Sequence, residues 1–484
     1  MKERGARKRK HGDRVMEIRE LFRGAVRNVQ VREVCSRETD DSFLQRVAFL
    51  ADLPYGAVFL SGGALDCARY SMAFWNPLVV FRAKGTQVTL TTARGTFFQE
   101  IHPLDALDRL LEATRPKVPM AVEPFSGGLI GYLAYELKNV LEKLPQTTED
   151  DLHLPDCLFF LPQNVLVFDR PTGRTVHLTL QTELLKPWAL APKENTHRPN
   201  PSPPPAARLM SDFLREAYID AVGRIRRYIR NGDVYQVNLS QRFSTPFHGD
   251  PWRLWTRLFR RNPAPFFAYL NLDDHRILST SMERFLCRRG ERIETRPIKG
   301  TRPRGATLEE DLRLREDLRT NPKDDAELSM IVDLLRNDLG RVCQGRSIVV
   351  EEHKRLEAYE NVWHLVSVIS GRLRPDVSTG DIFRATFPGG SITGCPKIRA
   401  MEIIDELERH VRHVYTGSIG YVGWHGTMDM NIAIRTAVLK DGRLHFSVGG
   451  GVVYDSNEAA EYEETLHKGR TLFRVMAEDE DPCP

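Results

Sequence analysis

The chain has 484 residues, of which 41% are hydrophobic and 28% charged, with a formal net charge of +4. It is too apolar for a disordered chain and too interrupted by charge for a membrane span, and so small a net charge gives no argument for nucleic acid as a partner. Seven scattered cysteines (Cys35, Cys67, Cys157, Cys287, Cys343, Cys395 and Cys483) include no C-x-x-C pair, so they read as reduced thiols of a cytoplasmic protein, not as a disulfide frame or a zinc site.

Residues 1–15 form a basic tail around Arg7-Lys8-Arg9-Lys10, without the apolar stretch of a secretory signal. Residues 16–185 mix short predicted strands (Ala57–Leu60, Leu78–Phe81, Val165–Phe168, Thr175–Leu180) with helices near 41–51 and 103–115. A Pro-rich linker occupies 186–210, where periodic apolar residues fade. The region 211–476 carries the chemical motifs, and an acidic tail, 477–484, closes the chain.

Within 211–476 a helix is predicted to open at Asn321-Pro322, with Asn as cap and Pro in the first turn, and to bury Leu328, Ile331, Leu335 and Leu339. A second begins at Pro396 and is expected to turn Ile398, Met401, Ile404 and Leu407 inward. Strands at 417–423, 428–439 and 444–448 form a meander, the last two joined by the hairpin turn Lys440-Asp441-Gly442-Arg443. Long helices alternating with hairpins define an α+β class with antiparallel sheets.

Two carboxylate pairs, Asp324/Glu327 and Glu461/Glu464, fall at i,i+3 spacing on separate predicted helices, so each pair shares one face. If the faces meet, they make a hard-oxygen site suited to Mg²⁺, which keeps waters and takes only one or two direct carboxylates. Singly, each pair also suits a structural role: acids in a first helical turn offset the macrodipole, and Glu464 with Lys468 is an i,i+4 ion pair. His364, alone in an apolar segment, reads on its own more readily as a satisfied core histidine. Arg435, expected in mid-strand among small residues, has room for an anion and a planar fork for a carboxylate. Gly449, Gly450 and Gly451 would let backbone N–H groups approach a ligand. The run Phe387–Lys397 is a glycine-rich turn feeding a helix N-terminus, a place that favours anions. Lys299, wedged in Pro297-Ile298-Lys299-Gly300-Thr301, would become a nucleophile if burial lowered its pKa.

Taken together these segments resemble the chorismate-utilising enzymes. The resemblance rests on Asp233–Arg242, Ser281–Phe285, Pro297–Thr301, Ala326–Asp338, Phe387–Lys397, Tyr415–Tyr421, Glu461–Lys468 and, upstream, Pro124–Glu136. It implies a four-layer α/β/β/α sandwich in which segments on both sides of the linker share one core. It further implies that Glu327 and Glu464 bind Mg²⁺ directly, that Asp324 and Glu461 support it through waters, and that the metal holds the ring carboxylate of chorismate. Arg435, Tyr415 and the backbone near Gly451 would hold the enolpyruvyl carboxylate, His364 would lie beside the ring, and Glu283 would protonate the departing hydroxyl. Gln236, Thr301, Thr393, Lys397, Gly449, Gly450 and Lys468 complete the implied substrate site.

Lys299, Ser391-Ile392-Thr393 and Gln236 resemble the branch of the family that makes 4-amino-4-deoxychorismate, the precursor of 4-aminobenzoate in folate synthesis. Lys299 would attack ring C2, and ammonia would then enter at C4. Met282 stands where the family usually has Pro, and Cys395 where it has Ala. Phe59-Leu60-Ser61-Gly62-Gly63 lacks the L-E-S element of feedback-regulated relatives. No G-x-C-x-G glutaminase turn occurs in the sequence, so a separate glutamine amidotransferase subunit is the expected ammonia source. The alternatives are the anthranilate-forming branch and a non-catalytic binding protein that keeps the fold.

Overall fold

The computed structural model describes residues 17–117, 122–187 and 209–477. The basic tail, most of the Pro-rich linker, the acidic tail beyond residue 477 and Cys483 lie outside the described residues. Six free cysteines are described. Among the described residues no helix is long and apolar enough to cross a membrane.

Two long neighbouring strands, Tyr70–Lys84 and Cys157–Asp169, are apolar along most of their length, and side chains such as Phe74, Phe81, Phe159 and Phe160 are fully buried. Such continuous runs mark strands covered on both faces. From Tyr70–Lys84 one antiparallel branch passes through Ala57–Leu60, Phe266–Asn271, Arg276–Ser281, Thr436–Lys440 and Arg443–Val452 to Gln236–Pro246. From Cys157–Asp169 a second passes through Gly128–Leu133, Ser418–Gly423, Thr427–Asn431, Arg284–Arg289 and Arg292–Arg296 to Val362–Arg372. Ile298–Pro303 and Val349–Ala358 finish this second branch against Val362–Arg372. Helix Glu458–Ala477 lies on Arg443–Val452 beside helix Arg215–Arg230, and helix Pro322–Gly340 lies on Val362–Arg372. The result is the expected α+β, α/β/β/α layering. Strands from before residue 188 and after residue 208 pair directly in both branches.

Local sequence explains the helix that carries the first acid pair. Asn321 accepts hydrogen bonds from the Lys323 and Asp324 N–H groups, Pro322 opens the helix, and Leu328, Ile331, Leu335 and Leu339 are buried. The second predicted helix forms as Lys397–Leu407 and buries Met401, Ile404 and Leu407, but Ile398 faces outward, 47% exposed.

Two strand expectations need correction. The segment 428–439 is two strands, Thr427–Asn431 and Thr436–Lys440, because residues 432–435 carry the chain from the second branch to the first. Arg435 therefore sits in a kink at φ +49°, its carbonyl fixed by the Thr280 N–H at 3.0 Å, and not in mid-strand. The last strand runs on to Val452 and takes in the glycine triplet, since Gly449, Gly450 and Gly451 pair with Ser240, Leu239 and Asn238.

Candidate active site

The strand Ile298–Pro303, the glycine triplet, the Arg435 kink and the two acid-bearing helices surround a cavity of about 910 Å³. Its lining includes Glu283, Lys299, Thr301, His364, Tyr415, Arg435, Gly449, Gly450, Gly451 and Lys468, together with Asp324, Glu327, Glu461 and Glu464. The volume suits a small organic ligand. Three sequence-predicted residues are not brought to the cavity. Thr393 is fully buried and donates to the Gly389 carbonyl at 3.0 Å. Lys397 donates to Asp338 Oδ2 at 2.6 Å and to the Thr386 carbonyl at 3.0 Å. Gln236 is buried behind the wall, its Nε2 donating to Asn238 Oδ1 at 3.1 Å while its Oε1 has no partner.

Lys299 and Glu283 meet at one residue. Lys299 Nζ donates to the Ser391 carbonyl at 3.2 Å, and Ser391 Oγ donates to Glu283 Oε1 at 2.5 Å. Lys299 lines the cavity, and burial pushes its amine below the ordinary lysine range, against the opposing pull of Glu327 and Glu283. Burial also pushes the Glu283 carboxyl up to about 7, partly countered by the Ser391 hydrogen bond and the Lys299 charge. The pair thus sets an amine of lowered pKa beside an acid of raised pKa.

His364 lies on the next strand, its Nδ1 3.0 Å from Thr301 Oγ1 and its Nε2 buried without a partner. Burial, aided by the positive charge of Arg435, lowers its pKa to about 4, so the imidazole is neutral. The Arg435 guanidinium is desolvated as well, which holds it below the usual arginine range. Among the described residues this guanidinium has no carboxylate partner, and a desolvated guanidinium of that kind is prepared for an anionic ligand.

The two acid pairs face the same cavity from opposite helices. A Cβ on Gly450 would lie 3.3 Å from Glu461 Oε2, 3.6 Å from Glu464 Oε1 and 3.6 Å from Lys468 Nζ, so these groups crowd around the bare glycine. Burial raises the carboxyl pKa of Glu327 and of Glu461, whereas the adjacent Lys468 ammonium lowers that of Glu464. Among the described residues no three His, Cys, Asp or Glu side chains converge as metal ligands do. Because Mg²⁺ needs only one or two direct carboxylates and fills its shell with water, the donor chemistry still suits it.

Several lining residues were not singled out from the sequence. Arg412 clamps Glu408 through Nε at 2.9 Å and Nη2 at 2.6 Å, and donates to the Asn238 carbonyl at 2.7 Å and the Ile392 carbonyl at 3.1 Å. The i,i+4 spacing of Glu408 and Arg412 was the available signal, but such a pair usually reads as a surface contact. Lys323 and Arg302 also line the cavity, each next in sequence to a predicted site residue.

The fold agrees with the comparisons. Residues 58–474 match the family model for chorismate binding enzymes, and the chain belongs to that family. It is 40% identical over 428 residues to aminodeoxychorismate synthase component 1 of Salmonella typhimurium, covering 88% of this chain and 93% of that protein. It is 41% identical over 396 residues to anthranilate synthase component 1 of Thermus thermophilus, covering 80% and 85%. Among solved structures, anthranilate synthase component I of Streptococcus pneumoniae superposes with a TM-score of 0.74 at 32% identity, covering 85% of this chain and 94% of that one. The menaquinone-specific isochorismate synthase of Escherichia coli shares the fold at a TM-score of 0.70 and 16% identity, covering 94% and 96%.

Proposed function

We propose that the chain is the chorismate-aminating component of an aminodeoxychorismate synthase, turning chorismate and ammonia into 4-amino-4-deoxychorismate and water. The observation that carries this reading is the Lys299–Ser391–Glu283 arrangement, which joins an amine of lowered pKa to an acid of raised pKa at the cavity floor. Arg435 holds the enolpyruvyl carboxylate, and the neutral His364 packs beside the ring. Lys299 Nζ forms a bond to ring C2, both ring double bonds shift by one position, and the C4 hydroxyl leaves as water with the Glu283 proton. Ammonia then bonds to C4, the C2–N bond breaks with the reverse shift, and Lys299 leaves as a neutral amine. The proton shed by the new C4 ammonium returns to Glu283. The atoms balance, and the enolpyruvyl ether is kept.

Glu327 and Glu464 would hold Mg²⁺, with Asp324 and Glu461 behind waters. When bound, the ion supplies charge neutralisation and orientation for the ring carboxylate. The "component 1" naming of the relatives supports a partner subunit, and a glutamine amidotransferase is the chemistry that would deliver ammonia. Product analysis with chorismate, Mg²⁺ and ammonium is the test. Formation of 4-amino-4-deoxychorismate supports the reading, and anthranilate fluorescence with pyruvate release refutes it in favour of the other branch.

A further inference from the structure

Each of the four cavity acids already has a neighbour from this chain. Asp324 Oδ2 accepts from Arg302 Nη2 at 2.9 Å, Glu461 Oε1 accepts from Ser456 Oγ at 2.6 Å, and Glu464 Oε1 lies 2.7 Å from Lys468 Nζ. Glu327 Oε1 stands 4.0 Å from Lys323 Nζ. Lys323 is the oddest of these partners. It occupies the first turn of its helix, where the positive end of the macrodipole disfavours a cation. Its side chain is 55% exposed yet lines the cavity, and its charge reaches Glu327 on its own helix and Glu461 and Glu464 on the facing one. Lys468, by contrast, is also tied to the Gly449 carbonyl at 3.0 Å.

We propose that Lys323 is a resident counter-cation of the two acid pairs, which balances them in the absence of metal and competes with a divalent ion for the same oxygens. The proposal rests on the Mg²⁺ reading above. Four carboxylates lining one cavity repel one another, and Lys323 adds to Arg302 and Lys468 in offsetting that repulsion, from a position it can vacate. Its exposed stem gives the ammonium a short path to solvent as the ion enters. Metal binding is then an exchange of one cation for another, and the intrinsic affinity of the site is masked by the lysine. Lys323 is a positioning residue and touches no reacting atom.

The test is titration of the full chain with MgCl₂ by calorimetry and with Mn²⁺ by electron paramagnetic resonance, without chorismate, in wild type, Lys323→Gln and Lys323→Arg. Lys323→Gln is expected to bind either ion about tenfold more tightly, from loss of a unit charge near the carboxylates, while Lys323→Arg binds like wild type. Thermal unfolding gives a second readout: Lys323→Gln melts lower than wild type without divalent ions, and saturating Mg²⁺ closes the gap. Unchanged or weaker binding by Lys323→Gln, with wild type binding normally, overturns the counter-cation role alone. Failure of wild type to bind either ion overturns both this role and the Mg²⁺ reading.

Discussion

Glu283 and Lys299 are shifted in opposite directions, the acid upward and the amine downward, and burial is the first cause for both. With the Glu283 carboxyl pushed up to about 7, its acid form is complete well below that pH and falls about tenfold per unit above it. The kcat/KM profile is therefore expected to decline above about pH 7. Glu283→Gln cannot release a proton; we expect kcat to fall by about 10²–10⁴-fold and the alkaline limb to vanish from the residual rate. Lys299→Ala is expected to abolish 4-amino-4-deoxychorismate formation, measured as product by chromatography, and unchanged kinetics would remove the amine from the chemistry. Lys299 was legible in the sequence because a lysine held between Pro-Ile and Gly-Thr has few bland uses. Glu283 was legible only through resemblance, since its raised pKa comes from burial in the folded chain and its hydrogen-bond partner Ser391 lies 108 positions away.

At the scale of elements, the i,i+3 acid pairs and the Asn-Pro cap could be read directly, because helical neighbours are local in sequence. What could not be read was register. The Arg435 segment alternates like a single strand, yet residues 432–435 leave one branch and join the other, and only the partners of each half reveal this. The glycine triplet likewise lies beyond the strand expected at 444–448, whereas pairing with Ser240, Leu239 and Asn238 keeps it within the sheet. That placement separates the glycines by role. A Cβ at Gly449 would meet the Leu239 carbonyl oxygen at 2.5 Å, a backbone atom, but one at Gly450 meets only ends of side chains at 3.3–3.6 Å. We expect Gly449→Ala to cost about 1–3 kcal/mol in denaturant unfolding. Gly450→Ala should fold near normally and instead weaken divalent binding, as measured by calorimetry.

For the whole molecule, composition and the helix–hairpin alternation gave the α+β class, but the Pro-rich stretch looked like a boundary. Strand pairing runs across it: Ala57–Leu60 joins Phe266–Asn271, and Gly128–Leu133 joins Ser418–Gly423. A fragment covering 209–484 would expose unpaired edges of both branches, which invites aggregation. Expressed alone it is expected to be insoluble, and co-expression with 1–187 is expected to restore soluble protein; a soluble, active 209–484 fragment would contradict the shared core.

The kink at Arg435 has a mechanical corollary. An anion drawn to this guanidinium lands where the main chain steps between the two branches, with Thr280 gripping the Arg435 carbonyl from one and Glu283 accepting from the Ile432 N–H in the other. Such a ligand would act as a rivet. A saturating carboxylate analogue of the substrate should raise the melting point of both branches in a single transition, so that occupancy of one small seat is felt across the entire body of the protein.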